Sequence, residues 1–299
     1  MSLYICAKRL TDNNHNDYAV PLLICIFITG KNNLAKEVIM KTDKMPVLFL
    51  GHGNPMNAIE ENEFVKGFRE KGAGIPKPTA ILCISAHWET RGTFVTSMEK
   101  PETIHDFGGF PRELYEVEYP APGSPELAKD IIQSVKKVKI EPDYHWGLDH
   151  GAWSVIKHLY PEADVPVVQL SLDYTKPAEY HYQLGRELSY LRTKGILIIG
   201  SGNMVHNLRL AAWDKLNEPF AYDWAAEADS RMKKFILEGN HRDLINYINQ
   251  GEAFRLAIPT PEHYLPLLYI LALKEDQESI TLFNDKTVAG SLSMTSLKI

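Results

Sequence analysis

The chain has 299 residues, with 44% hydrophobic and 23% charged side chains, enough apolar material for a sizeable core. Lys and Arg number 32 against 38 Asp and Glu, a net charge of -6, and no basic block stands out, which argues against nucleic acid as a partner. The three cysteines, Cys6, Cys25 and Cys83, show neither metal-type nor redox spacing, so a reducing cytoplasm is the expected compartment.

Residues 1–39 differ from the rest. A polar, turn-like stretch at Asp12–Asp17 precedes an apolar run from Val20 to Ile28 that is too short to span a bilayer, and no membrane role is expected. It also makes a poor export signal, because acidic residues separate Lys8 and Arg9 from the apolar run. The segment reads as a non-catalytic extension, with the working domain over 40–299.

From Pro46 onward strands alternate with helices. Val47–Leu50 reads as a strand running into Gly51-His52-Gly53, followed by a helix around Glu61–Lys71. Ala80–Trp88 is a second buried strand with a histidine, His87, near its end, and another strand is expected around Thr93–Ser97. A loop-rich stretch over 99–125 follows, dense in Pro, Gly and aromatics; loops that long inside a domain tend to be functional. Ser124-Pro125 reads as an N-cap with Pro in the first helical position, opening a helix to about Lys136. Further helices are expected over Gly151–Tyr160, Pro177–Arg192, Ala221–Glu238 and Pro261–Leu273. Strands are expected over Val167–Ser171, over Ile196–Ile199 running through Gly200-Ser201-Gly202 towards His206, and near Gly290–Leu297. With no linker between two cores, the pattern implies a single α/β domain with a mostly parallel or mixed central sheet flanked by helices.

Three strands thus deliver imidazoles, His52, His87 and His206, to the carboxyl edge of the sheet, where open α/β sheets bind ligands. His263, at the expected start of the last helix, is a fourth. Each alone has a plainer reading: a turn histidine, a satisfied core histidine, a neighbour of a phosphate loop, a surface cap. No Lys-Ser/Thr follows the glycines before His206, so a Walker loop is absent. Taken together the four suit a divalent ion, since neutral imidazoles favour Zn, Fe, Ni or Cu over Mg or Ca. Four would make a closed zinc-like sphere, whereas three would leave room for substrate and oxygen.

Beyond the extension the chain resembles the bacterial 4,5-DOPA extradiol dioxygenases, a branch of the class III extradiol ring-cleaving dioxygenases. The motifs that carry the resemblance are Leu48–Gly53, Ser85–Trp88, Thr103–Pro111, Tyr119–Pro125, Asp149–Trp153, Ser201–Leu208 and Thr260–Tyr269. The resemblance implies one metal ion per chain held by His52, His87 and His263. His206 is implied either as a fourth ligand when zinc is bound or as the acid–base residue. It also supports His150 as a catalytic group, and His105 and Asp106 are candidates for lining the substrate entrance. The implied reaction opens a DOPA-like catechol between carbons 4 and 5 with O2. One departure from the wider class matters: His263 stands where a carboxylate ligand is expected, and Glu262, its neighbour on an expected helix, would point about 100° away. Zinc is therefore the species expected to bind readily, and Fe(II) the ion expected for oxygen chemistry. A zinc hydrolase and a non-enzymatic metal-binding scaffold remain the alternatives.

Overall fold

The computed structural model describes residues 44–216 and 218–299. The expected extension, with Cys6, Cys25, His15 and the Val20–Ile28 run, lies outside the described residues. In chain order the elements are β1 (Val47–Gly51), α1 (Glu63–Ala73), β2 (Ala80–Thr90), β3 (Thr93–Thr96), α2 (Arg112–Tyr115), α3 (Pro125–Ser134) and β4 (Ile140–Asp143). Then come α4 (His150–Leu159), β5 (Val167–Asp173), α5 (Ala178–Glu187), β6 (Ile196–Gly202), α6 (Asp223–Leu237), α7 (His241–Ile245), α8 (Glu252–Ala257) and α9 (Leu265–Ala272). Short strands close the chain: β7 (Thr281–Phe283), β8 (Thr287–Val288), β9 (Leu292–Ser293) and β10 (Ser296–Lys298).

Eight strands form one mixed sheet in the order β4-β3-β5-β2-β6-β1-β10-β7. Its centre, β5-β2-β6-β1, is parallel, and antiparallel pairs lie on either side of it. Both faces of the sheet are covered, so its central strands are apolar throughout rather than alternating. In β1 the side chains still separate by parity: Val47 and Phe49 join the cluster under α3, α5, α6 and α9, while Leu48 and Leu50 join the cluster under α1 and α4. Helix α9 is buried from Leu265 to Leu271 and lies between α5 and β6, which explains why its sequence is apolar all round. Cys83 sits in mid-strand, buried and unpaired, as expected of a small core residue.

Several elements differ from the sequence reading for local reasons. Helix α5 stops at Glu187 and the chain tightens into a 3-10 turn over Ser189–Lys194, closed by Gly195 in the left-handed region. Strand β2 does not end at His87. Its pairing with β6 stops at Ser85, its register against β5 slips between Ile84 and Glu89, and it then continues to Thr90. The slip is a bulge-like irregularity in which residues 85–88 of β2 stand against residue 171 of β5 alone, and His87 lies within it. Strand β4 and helices α7 and α8, of four, five and six residues, are too short to show a period in sequence. Ser124 caps α3 as expected, its Oγ accepting from Leu127 N, with Pro125 at the first helical position.

Candidate metal centre

His52 follows the last residue of β1, His87 lies in the bulge of β2, and His206 lies four residues beyond β6. These are three adjacent parallel strands with β6 in the middle, so the imidazoles gather at one edge. His263 reaches the same edge from a turn two residues before α9, not from within the helix. That turn can press against the end of β6 because Gly202 has no side chain. A Cβ there would stand 2.1 Å from the His263 carbonyl oxygen, which instead accepts from Asn203 N at 2.8 Å. Opposite, Gly151 in the first turn of α4 makes room for His87: a Cβ at 151 would fall 2.7 Å from His87 Cδ2.

The rings of His52, His87 and His263 form a near-equilateral triangle, with centroids 5.0, 5.2 and 5.0 Å apart. A tetrahedral ion with metal–nitrogen bonds of about 2.1 Å would separate such centroids by about 5.2 Å. By donor atoms alone the cluster divides differently. His52, His87 and His150 form one set with donors within 4.8 Å of one another, and His206, Glu262 and His263 form a second. Ring geometry is the better guide, because a lone pair lies in its ring plane and must aim at the ion. His150 is only 3.8 Å from His87 and 5.9 Å from His52, a poor triangle. His206 lies flat on His263, centroids 3.5 Å apart and planes 7° from parallel, so their lone pairs run in separate planes and do not converge.

Hydrogen bonds assign the proton positions. Ser201 Oγ donates to the Gly151 carbonyl, and having one proton it can only accept from His52 Nδ1, 3.0 Å away. The His52 proton therefore sits on Nδ1, which leaves the lone pair of its Nε2 free for an ion. His87 turns Nδ1 towards Asp106 Oδ2 at 3.4 Å. The two Nε2 atoms face one another at 3.3 Å. Both rings are held neutral: burial, reinforced by the neighbouring histidines, holds His52 well below the ordinary value, and burial followed by His150 takes His87 to about 3. Two neutral donors 3.3 Å apart match the edge of a tetrahedron with bonds of about 2.0–2.1 Å. The donor set is all nitrogen, suited to zinc or iron and not to magnesium or calcium. The residues therefore fit a single divalent ion.

The remaining residues frame this cluster. His263 Nδ1 meets Glu262 Oε1 at 3.1 Å, which leaves Nε2 as its ligand atom. Sequence reasoning set Glu262 aside on the premise of a helix; residues 261–264 are a turn, and the carboxylate folds back on its neighbour. Asp106 touches both His87 and His150, accepting from His150 N at 2.9 Å and standing 3.0 Å from His150 Nδ1, although that ring N–H is not aligned for a hydrogen bond. Burial pushes the Asp106 carboxyl up, but His150 and then His87 outweigh it and hold it below its usual value. His105 is engaged elsewhere, with Nε2 against the Val117 carbonyl at 2.9 Å and its ring among Phe107, Tyr115 and Trp153. From the same loop it is Phe107 that meets the cluster, edge-on to His150 at 5.4 Å.

Asp149 caps α4 as expected, accepting from Ala152 N at 3.0 Å, and is fully buried. It also accepts from Ser85 Oγ and Gln169 Nε2, each at 2.6 Å, which fastens the start of α4 to β2 and β5. The roles of Ser201, Ser85 and Gln169 escaped the sequence reading, although Ser85 and Ser201 each open a motif that carries the resemblance. His206 is half-buried, and burial lowers its pKa to about 4 against the opposing pull of Glu262.

Residues 46–292 match the family described as the catalytic LigB subunit of aromatic ring-opening dioxygenase. The 4,5-DOPA dioxygenase extradiol of Escherichia coli (strain K12) is 47% identical over 270 residues, which cover 89% of this chain and 98% of that protein. The protein of the same name from Beta vulgaris is 37% identical over 261 residues, 84% of this chain and 94% of its own. Among solved structures, that of an uncharacterized protein from Escherichia coli K12 superposes with a TM-score of 0.75 at 42% identity, covering 86% of this chain and all of the other (100%).

Proposed function

The chain belongs to the LigB family of aromatic ring-opening dioxygenases and is a metal-dependent extradiol ring-cleaving enzyme, and on that footing we propose that its substrate is a catechol of the DOPA type, opened between carbons 4 and 5. The names of the curated relatives support this choice. We assign the ion to His52, His87 and His263, and place the catalytic part within residues 40–299, with 1–39 outside it. The observation that carries the assignment is the near-equilateral triangle of the His52, His87 and His263 rings, with the Nε2 atoms of His52 and His87 3.3 Å apart, a separation that fits the edge of one tetrahedral ion.

The bound ion supplies a Lewis acid for the two catechol oxygens and, if it is iron, a path for electrons to O2. Zinc has no redox chemistry, so iron is the working metal in this reading, although an all-histidine site also takes zinc. The protein's own groups do the rest. His206, stacked on His263 and lacking a converging lone pair, is the base that takes a catechol hydroxyl proton and later returns it. His150, on the other flank with its backbone N–H held by Asp106, is the group placed to stabilise negative charge that develops on the substrate. Phe107, edge-on to His150, supplies an aromatic wall for the ring. His105 braces the loop through the Val117 carbonyl.

The test is anaerobic purification, loading with Fe(II), and oxygen-electrode assays across a panel of catechols with and without an amino-acid tail. Uptake of one O2 per DOPA with a ring-opened aldehyde acid as product is expected. Iron-loaded protein that consumes no oxygen with any catechol would sink the reading.

A further inference from the structure

The three imidazoles bring no charge of their own to the ion, whereas the usual iron site of oxygenases includes one carboxylate among its ligands. Yet two of the three have a carboxylate at the outward nitrogen: Asp106 Oδ2 lies 3.4 Å from His87 Nδ1, and Glu262 Oε1 lies 3.1 Å from His263 Nδ1. The third, His52, is backed by a neutral hydroxyl, that of Ser201, at 3.0 Å. Neither carboxylate is idle or free to drift. Asp106 is also fixed by His150 N at 2.9 Å, and Glu262 by Thr260 Oγ1 at 2.8 Å.

From this geometry we propose that Asp106 and Glu262 are positioning residues that restore the missing anionic character of the metal site through His87 and His263. Resting on the ligand assignment above, this extends it by two residues that are not themselves ligands. A carboxylate at Nδ1 fixes the proton there, holds the ring plane, and raises the basicity of Nε2; loss of such partners typically weakens metal binding by about 10–100-fold. The loop that carries Asp106 and the turn that carries Glu262 belong to different parts of the chain, so the two effects are separable.

The test uses metal-free full-length protein and Co(II) as probe, with affinity read by competition against a chromophoric chelator and no substrate or oxygen present. Glu262→Gln and Asp106→Asn keep the shape of each side chain and remove its charge. Each is expected to weaken Co(II) binding by about 10–100-fold, to shift the cobalt ligand-field bands, and to leave the melting temperature of the metal-free protein unchanged. The double variant should lose close to the product of the two factors. Asp130→Asn, which removes an equal charge from the exposed pair with Lys194, should change nothing. Affinity within threefold of wild type in Glu262→Gln overturns the proposal. So does weaker binding that comes with a lower metal-free melting temperature, because a folding defect then accounts for it. Wild-type protein that takes up no cobalt would instead remove the metal site itself, which is a separate failure.

Discussion

His206 lies flat against His263, ring centroids 3.5 Å apart and planes 7° from parallel. Parallel rings cannot point two lone pairs at one ion, but they can hold a second imidazole beside a ligand without competing for the metal. His206→Ala should therefore keep metal affinity within a few-fold of wild type while ring opening falls by about 10²–10⁴, the usual span for a lost acid–base group. Cobalt titration and oxygen uptake measured on the same preparation separate the two. If metal is lost in parallel with turnover, His206 is a ligand and the stacking argument fails.

Ser201 fastens two parts of the site with one hydroxyl, donating to the Gly151 carbonyl and accepting from His52 Nδ1. It is fully buried, so Ser201→Ala leaves both partners without water to replace it. The expected cost is about 1–3 kcal/mol of folding stability, read from urea unfolding of metal-free protein. Freed at Nδ1, His52 can move its proton to Nε2, so a drop in metal affinity should accompany the loss. Unchanged affinity would mean that the tautomer of His52 is set by something other than Ser201.

The histidines near strand ends were legible because short apolar runs that give way to glycine or other small residues mark where a parallel strand exits its sheet. Those runs located His52 and His87, and the Gly200-Ser201-Gly202 exit pointed to His206. The partners were harder to read. Ser201 and Glu262 look like ordinary polar residues, and what they hold depends on which way a turn folds back. The helical spacing that set Glu262 aside failed because residues 261–264 form a turn ahead of α9. The register slip in β2 around His87 has no sequence mark either. Edge elements such as β4 and α7 bury little apolar surface and left no periodic signal.

Gly202 is required by a contact, not by its backbone angles. The turn bearing His263 closes on the end of β6, and a methyl group at 202 would meet the His263 carbonyl oxygen at 2.1 Å. Backbone cannot rotate away as a side chain can, so Gly202→Ala must shift the turn and its imidazole. About 1–3 kcal/mol of destabilisation is expected from overpacking, with weaker binding of Co(II) in the same variant. Gly74→Ala, where nothing lies within 4 Å of the added carbon, serves as the comparison and should be silent in both measurements.

His181 offers a pH test outside the metal centre. It is fully buried on α5, with Nδ1 3.0 Å from the Tyr269 hydroxyl. Burial lowers its pKa to about 4, against the smaller raising effect of Asp173. A histidine depressed in the native state stays neutral when folded and takes up its proton on unfolding. Its contribution to stability is thus complete above about pH 6.5, the unfolded value, and is lost as pH falls towards 4. The full difference amounts to about 3 kcal/mol at about 1.4 kcal/mol per unit. Urea unfolding of metal-free wild type and His181→Gln at pH 7.5, 6, 5 and 4 should converge on acidification, the wild type losing the greater stability. Parallel curves for the two proteins would show that His181 does not titrate with unfolding in this range.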